Sequence, residues 1–475
     1  MITAAILTPE HGWGLMALFS VLWIGLGLFW GRRSKSLEGH MVANRNVGLA
    51  LGSATAMATW VTSNTTMLAP QFALELGVWG VLAYSMAALG LFFFAPLAGR
   101  IRALMPAGYT SGQFVRLRYG HTAWVVFVAL SLFYGLTWLV SMGMAGGLLI
   151  EALTGVPYLY GMSAILCVCT AYTVAGGLVA VIGTDFIQSV IILVGVVVVA
   201  VLAIDAVSVE QVHAALAEER PMLLDVLFPA ALMAIFNNLL FGLGEVFHSN
   251  VWWSRAFAMR PGVGTKAYAL AGAMWLPIPI VGGFLGLVAP ALGIGVSRPD
   301  MVAPLVAGHL LGQLGAVLVF VVVFASIASS IDSLLAATSD LVTNDLVHGW
   351  LRPNATPDQL RKTATQVVVG TAAIAWVLCV PRIDTLATVL FFAGPMVASM
   401  IWPIVAGLYW KRTPAWAATA GMILGTVGGL CVYFTVGWYA ASTAAAAISA
   451  AVVIVATLQR PADFRWEHLK GGARA

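Results

Sequence analysis

The chain reads as an all-α integral membrane protein with about 13 transmembrane helices, and three observations lead there. Hydrophobic residues make up 61% of the 475 positions and charged residues 9%, with mean hydropathy +0.95. That is more apolar side chain than a soluble core of this length can hold. Apolar runs of about 20 residues, enough to cross a bilayer, recur along the whole sequence. Basic residues fall almost entirely in alternate loops, as the positive-inside rule requires of a correctly counted set of spans.

In order, the spans are expected near 11–30, 47–70, 76–97, 122–150, 157–176, 178–205, 222–247, 265–291, 303–344, 363–381, 384–410, 413–436 and 439–459. The loops between them are short, which leaves no room for a separate soluble domain. Every second loop is basic, apart from the tight Gly176-Gly177 turn. The basic loops hold Arg32, Arg33, Lys35 and Arg45, then Arg100, Arg102, Arg116 and Arg118, then Arg255, Arg260 and Lys266. Arg352, Arg361 and Lys362 follow, then Lys411 and Arg412, then a tail with Arg460, Arg465, Lys470 and Arg474. Only Arg220, Arg298 and Arg382 of the 23 Lys and Arg lie elsewhere. The expected topology is a multi-pass cell-membrane protein with its N-terminus outside and its C-terminus cytoplasmic. Met1 to Gly14 contains no Lys or Arg and does not resemble a cleaved signal peptide. The four cysteines lie in apolar segments, and Cys167 and Cys169 face different sides of one helix, so no disulfide framework is indicated.

Two spans are expected to be discontinuous. The second carries Thr59-Trp-Val-Thr-Ser-Asn-Thr-Thr66 ahead of Pro70; the seventh carries Asn237-Asn238, Gly242, Gly244 and Glu245, groups costly against lipid. They stand five spans apart, so each opens a set of five, and an odd number makes the second set inverted relative to the first. Interrupted helices at matching places in two halves point to a transporter built from inverted repeats, with free carbonyls and helix ends facing a cavity. The chain then divides into a leading helix and loop (1–46), a first repeat (47–205), a second repeat (222–410) and two trailing helices with a short tail (411–475).

Within the ninth span, Ser326, Ser329, Ser330 and Ser333 recur at spacings of three and four and stack on one helical face. Such a stripe serves close helix–helix contact, or it offers oxygen donors to a hard cation such as Na⁺. Asp185 lies about seven residues beyond the Gly176-Gly177 turn, on the order of 10 Å into the membrane, where an ionisable group is functional by default.

These residues resemble the sodium:solute symporter family. Gly176-Gly-Leu-x-Ala-Val-x-x-Thr-Asp-x-x-Gln188 and Ser329-Ser-Ile-Asp-Ser-Leu-Leu-Ala-Ala-Thr-Ser-Asp-Leu-Val-Thr-Asn-Asp345 look like its signatures. So do Trp253-Ser-Arg-Ala-Phe257, Gly394-Pro395 and Tyr409-Trp-Lys-Arg412. The resemblance implies a five-plus-five inverted-repeat core formed by helices 2–11. It implies a sodium-coupled secondary active transporter that imports a small polar organic solute by alternating access. Carried over, the sodium site is Ala58, Val61, Ser326, Ser329 and Ser330, with a second site at Asp185 and Ser326. Ser254 stands where the family usually has Gln, and Thr62 to Thr66 replaces a glycine-containing stretch; both departures bear on the solute.

The solute pocket is expected to draw on Trp60, Asn64, Asn237, Asn238 and Phe392, with Phe236 and Phe391 beside them on the same helices. With no arginine expected in a span near it, a neutral or zwitterionic solute is favoured, with urea, amino acid, sugar and monocarboxylate left open. Proton coupling through Asp185 is the nearer alternative; a membrane sensor or enzyme is the further one. The eight histidines sit mostly at helix ends or in loops, no H-E-x-x-H pattern occurs, and about 16 residues follow the last span, too few for a kinase tail. The chain is therefore not expected to be an enzyme or to bind nucleic acid; its partners are the solute, Na⁺ and membrane lipid.

Overall fold

The structure is a computed structural model, and it describes residues 5–470 apart from 33, 35, 226 and 297. Arg33, Lys35 and Arg474, assigned above to cytoplasmic loops, lie outside the described residues. Among the described residues the regular structure is helical. Eleven helical stretches are long and apolar enough to cross a membrane. Thirteen spans had been expected, and the counts differ at two places. The stretch Leu49–Trp60 and Ala69–Leu76 is broken and so is not one long helix. Tyr158–Ala206 is one stretch of 49 residues where two spans, 157–176 and 178–205, were read. At 1.5 Å per residue 49 residues would reach about 73 Å, more than twice the hydrocarbon thickness. The chain changes direction at Gly177, with φ 54° and ψ −144°. Glycine is required there twice over, since that φ disfavours a side chain and a Cβ would run into the His40 ring.

The first break follows from local chemistry. The helix Leu49–Trp60 ends at Val61, whose φ −82° and ψ 91° are extended. Thr62 then captures the next amides with its side chain, accepting from Asn64 N at 2.9 Å and Thr65 N at 3.3 Å. Hydroxyl residues compete in this way with the i→i−4 ladder, and a run of five polar residues lets them win. Helical winding resumes through a wider π turn, Asn64–Leu68, into Ala69–Leu76, with Pro70 in its first turn.

The second break is displaced from where it was expected. Pro229–His248 is one continuous α-helix, and the chain leaves it at Ser249 (φ −67°, ψ 131°) before Asn250–Ala258. The polar block stays helical because its groups find partners. Asn238 Nδ2 donates to Ala234 O at 3.0 Å, Asn237 Oδ1 accepts from Ser442 N at 2.9 Å, and Glu245 accepts from Trp252 Nε1 at 2.9 and 3.0 Å. Gly242 and Gly244 serve close packing: Cβ atoms there would strike Ala87 and the Val397 carbonyl. Small residues at such crossings let membrane helices approach.

The long helix Val302–Asp340, bent at Gly312, carries the serine stripe through the centre of the molecule; Ser326 to Ser333 are buried throughout. It packs against Tyr158–Ala206 and against the broken helix Leu49–Trp60, so the three meet where the first break lies.

Candidate functional site

Three adjoining features are built at that meeting point. The first is a cage of neutral oxygens. A helix that stops at Trp60 leaves its last carbonyls without amide partners from the next turn. Side chains take them instead. Ser329 Oγ donates to Ala58 O at 2.7 Å, Ser330 Oγ to Thr59 O at 3.0 Å, and Trp60 O accepts from Thr65 Oγ1 at 3.0 Å and Trp275 Nε1 at 2.7 Å. Both serine hydroxyls also reach Ser326 O at 3.0 Å. Ala58 O, Thr59 O, Ser326 O, Ser329 Oγ and Ser330 Oγ thus converge between two helices, with all five residues fully buried. Val61 stands at the break, also buried, its N–H on Met57 O and Ala58 O; no hydrogen bond ties its carbonyl to the serines, and Thr59 supplies the second carbonyl they meet.

The second feature is charged. Asp185 is fully buried and pairs with Arg255 at 3.1 Å, both side chains at 0% exposure. Arg255 Nη2 also donates to Thr59 Oγ1 at 2.8 Å and Ser333 Oγ at 2.6 Å; its Nε donates to Thr55 Oγ1 at 3.0 Å and its Nη1 to Val251 O at 3.0 Å. Thr55 Oγ1 donates to Asp185 Oδ2 at 2.5 Å, while Asp185 Oδ1 is buried without a hydrogen-bond partner. Asp332 adds a further buried carboxylate, held by Tyr172 Oη at 2.7 Å and Ser333 Oγ at 3.2 Å.

Arg255 lies between two membrane-length helices, as its place in a basic loop implied, but its side chain is fully buried amid Trp252, Trp253 and Phe257 and turned inward, where the Asp185 charge receives it. Asp185 and Ser326, expected to share a second sodium site, share no hydrogen bond here. Ser326 Oγ turns back to Val322 O at 2.7 Å, and the serine nearest the carboxylate network is Ser333, two turns on.

The third feature is a narrow cavity of about 20 Å³ beside the first break, lined by Trp60, Thr62, Asn64, Trp138, Asn238 and Phe391 among others. Trp60 sits in an aromatic box, edge-on to Trp138 and Trp252 at 6.2 and 5.3 Å. Three of the five expected pocket residues, Trp60, Asn64 and Asn238, line it. Asn237 does not, because it faces the trailing helix Trp438–Gln459 through Ser442. Phe392 does not either. It lines a separate apolar groove with Tyr433 and Phe434, while its neighbour Phe391 faces the cavity. Adjacent residues on a helix point about 100° apart, so the two neighbouring rings reach different faces. The sequence reading missed Trp138, Thr55 and Thr59; Ser333 was read as part of the serine stripe but not assigned to a site.

The likenesses to known proteins agree with this arrangement. The model of the sodium:solute symporter family matches residues 40–425. A urea–proton symporter of rice (Oryza sativa subsp. japonica) is 27% identical over 84% of this chain and 61% of its own length, so the chain spans about three-fifths of that relative. The osmoregulated proline transporter OpuE of Bacillus subtilis (strain 168) is 28% identical over 86% of each chain. Among solved structures, a Na⁺-coupled sialic acid symporter in a substrate-bound outward-open state superposes with TM-score 0.81 at 16% identity, covering 96% of this chain and 99% of that one. The fold is thus that of the inverted-repeat transporters, and the chain belongs to the sodium:solute symporter family.

Proposed function

We propose that this solute transporter is driven by sodium: one Na⁺ binds in the neutral cage and a small polar solute binds in the adjoining cavity, both entering from outside. The observation that carries the reading is the serine pair. Ser329 and Ser330 reach across from the helix Val302–Asp340 to carbonyls released by the break at Val61. A hydroxyl that donates to a carbonyl can turn its proton aside and present a lone pair, so the same atoms that close the gap by hydrogen bonding also solvate a hard cation. Ala58, Ser326, Ser329 and Ser330 then ligate the ion, with Val61 O or Thr59 O completing the shell. Neutral donors hold Na⁺ loosely enough for release into a low-sodium interior. Because the donors come from 47–205 on one side and 222–410 on the other, the bound ion ties the two proposed inverted repeats together. Its loss frees them to rock past one another, as alternating access requires.

Arg255 supports one coupled ion rather than two. The Asp185 carboxylate, proposed from sequence as part of a second sodium site with Ser326, already has a resident cation. The alternating distribution of basic residues supports an outside N-terminus and a cytoplasmic C-terminus in a cell membrane. Proton coupling through Asp185 is the second reading, favoured by the buried, unpartnered Oδ1 and by the proton-coupled relative from rice. Uptake into proteoliposomes separates them. An imposed inward Na⁺ gradient should drive solute accumulation at matched pH; accumulation on a pH gradient with choline in place of Na⁺ would transfer the coupling to protons.

A further inference from the structure

The cavity beside the break has a chemistry of its own, and on the transport reading above it specifies the class of solute. Among the described residues, no Asp, Glu, Lys, Arg or His lines it. Glu245 is screened off: both its oxygens accept from Trp252 Nε1, and that indole stands between the carboxylate and Trp60. A carboxylate on the solute would need backbone amides at a helix start in place of a cation, and four of these are already engaged. Asn64 N and Thr65 N bond the Thr62 hydroxyl, and Thr66 N bonds Thr62 O at 3.1 Å. At the second break Val251 N bonds Ser249 Oγ at 3.4 Å. No ion pair is therefore on offer to a charged solute from the residues that line the cavity.

What the cavity does offer is two buried N–H donors without acceptors. Trp60 is 5% exposed and Trp138 1% exposed, both line the cavity, and the Nε1 of each has no hydrogen-bond partner. A buried N–H left unpaired is unfavourable, and a solute oxygen placed between the two indoles would pair it. Asn238 spends its Nδ2 on Ala234 O, leaving its carbonyl oxygen as an acceptor. Tyr84 and Tyr134 contribute hydroxyls to the same walls. Two donors, an acceptor and flat aromatic faces complement a planar group that carries both C=O and N–H. We infer that the solute is a small uncharged amide or urea-type compound, held through its carbonyl oxygen by the indole N–H groups of Trp60 and Trp138.

The test is solute counterflow in proteoliposomes, with labelled urea, acetamide, acetate, guanidinium and L-proline as probes. Acetate and guanidinium have nearly the shapes of acetamide and urea but carry a charge, so the comparison needs no altered protein. Urea or acetamide should exchange above the rate in protein-free vesicles, while acetate, guanidinium and proline should not. Trp138→Phe, which keeps an aromatic face and removes the N–H, should raise the half-saturating amide concentration by roughly 2- to 10-fold, the worth of one hydrogen bond. Exchange of proline, acetate or guanidinium, or the absence of exchange for both amides, overturns the inference. Counterflow runs without an ion gradient, so a failure of sodium coupling in the same vesicles would count against the coupling reading alone.

Discussion

Two polar clusters share the helix Val302–Asp340, one turn apart, and solve opposite problems. Around Ser329 and Ser330 every group is neutral, and the hydrogen bonds are made by hydroxyls that can turn. Around Ser333 the Asp185–Arg255 ion pair, each side chain at 0% exposure, meets a further buried carboxyl group, Asp332, while Thr55 and Thr59 accept from Arg255. The neutral cluster can exchange its internal hydrogen bonds for an ion at small cost. The charged one cannot give up its cation without leaving a buried carboxylate uncompensated. The difference teaches that a buried aspartate in a transporter core is not by itself an ion site; what matters is whether the protein has already supplied the counter-charge. Thr59 belongs to both clusters, its carbonyl accepting from Ser330 and its hydroxyl from Arg255, so the proposed ion site and the charged cluster are mechanically joined.

The comparison breaks most visibly at the salt bridge. Arg255→Gln leaves Asp185 charged and buried, and should cost about 3–5 kcal/mol of stability, read as a large drop in melting temperature in detergent. Asp185→Asn should cost a similar amount for the mirrored reason. The double variant should lose clearly less than the sum of the two, and additive losses would show that the pair is not coupled.

A smaller effect is expected in the cage. Ser329→Ala and Ser330→Ala each remove one oxygen of about five, worth about 1–3 kcal/mol of ion binding, or roughly a 5- to 150-fold rise in half-saturating Na⁺. Melting temperature without sodium should move little beside the Arg255 variant.

Ser326→Ala sharpens the contrast further. Its hydroxyl is spent on Val322 O within its own helix, and only its carbonyl faces the serine pair. Sodium half-saturation should change by less than about twofold, in the range of a substitution that touches no special feature. A loss as large as that of Ser330→Ala would restore Ser326 to the ligand set through its side chain. The smallest change is expected at Phe392→Ala, which faces the outer groove with Tyr433. Solute half-saturation should hold steady there, whereas Phe391→Ala opens the cavity and should weaken it.

The membrane class, the turn at Gly177 and the break near Val61 were all legible in the sequence, because each rests on a local signal: apolar run length, a glycine pair, a run of hydroxyl residues before Pro70. The serine stripe was legible for the same reason. What the sequence concealed is what depends on partners far along the chain. Asn237 and Glu245 read as a helix interruption until Ser442 and Trp252 are seen to satisfy them. Arg255 obeyed the charge rule for loops while facing a carboxylate 70 residues away. Phe391 and Phe392 differ in role only through helix phase, which a composition-level reading of an apolar run does not fix.

The central claim is that the neutral cage, and not the Asp185 cluster, holds the coupled ion. Equilibrium binding of radioactive ²²Na⁺ to the purified protein tests it without reference to any solute. The account predicts saturation at one ion per chain, lost or greatly weakened in the Ser329→Ala/Ser330→Ala double variant. Saturation at two ions per chain, or one ion still bound with unchanged affinity when both serines are removed, would contradict it.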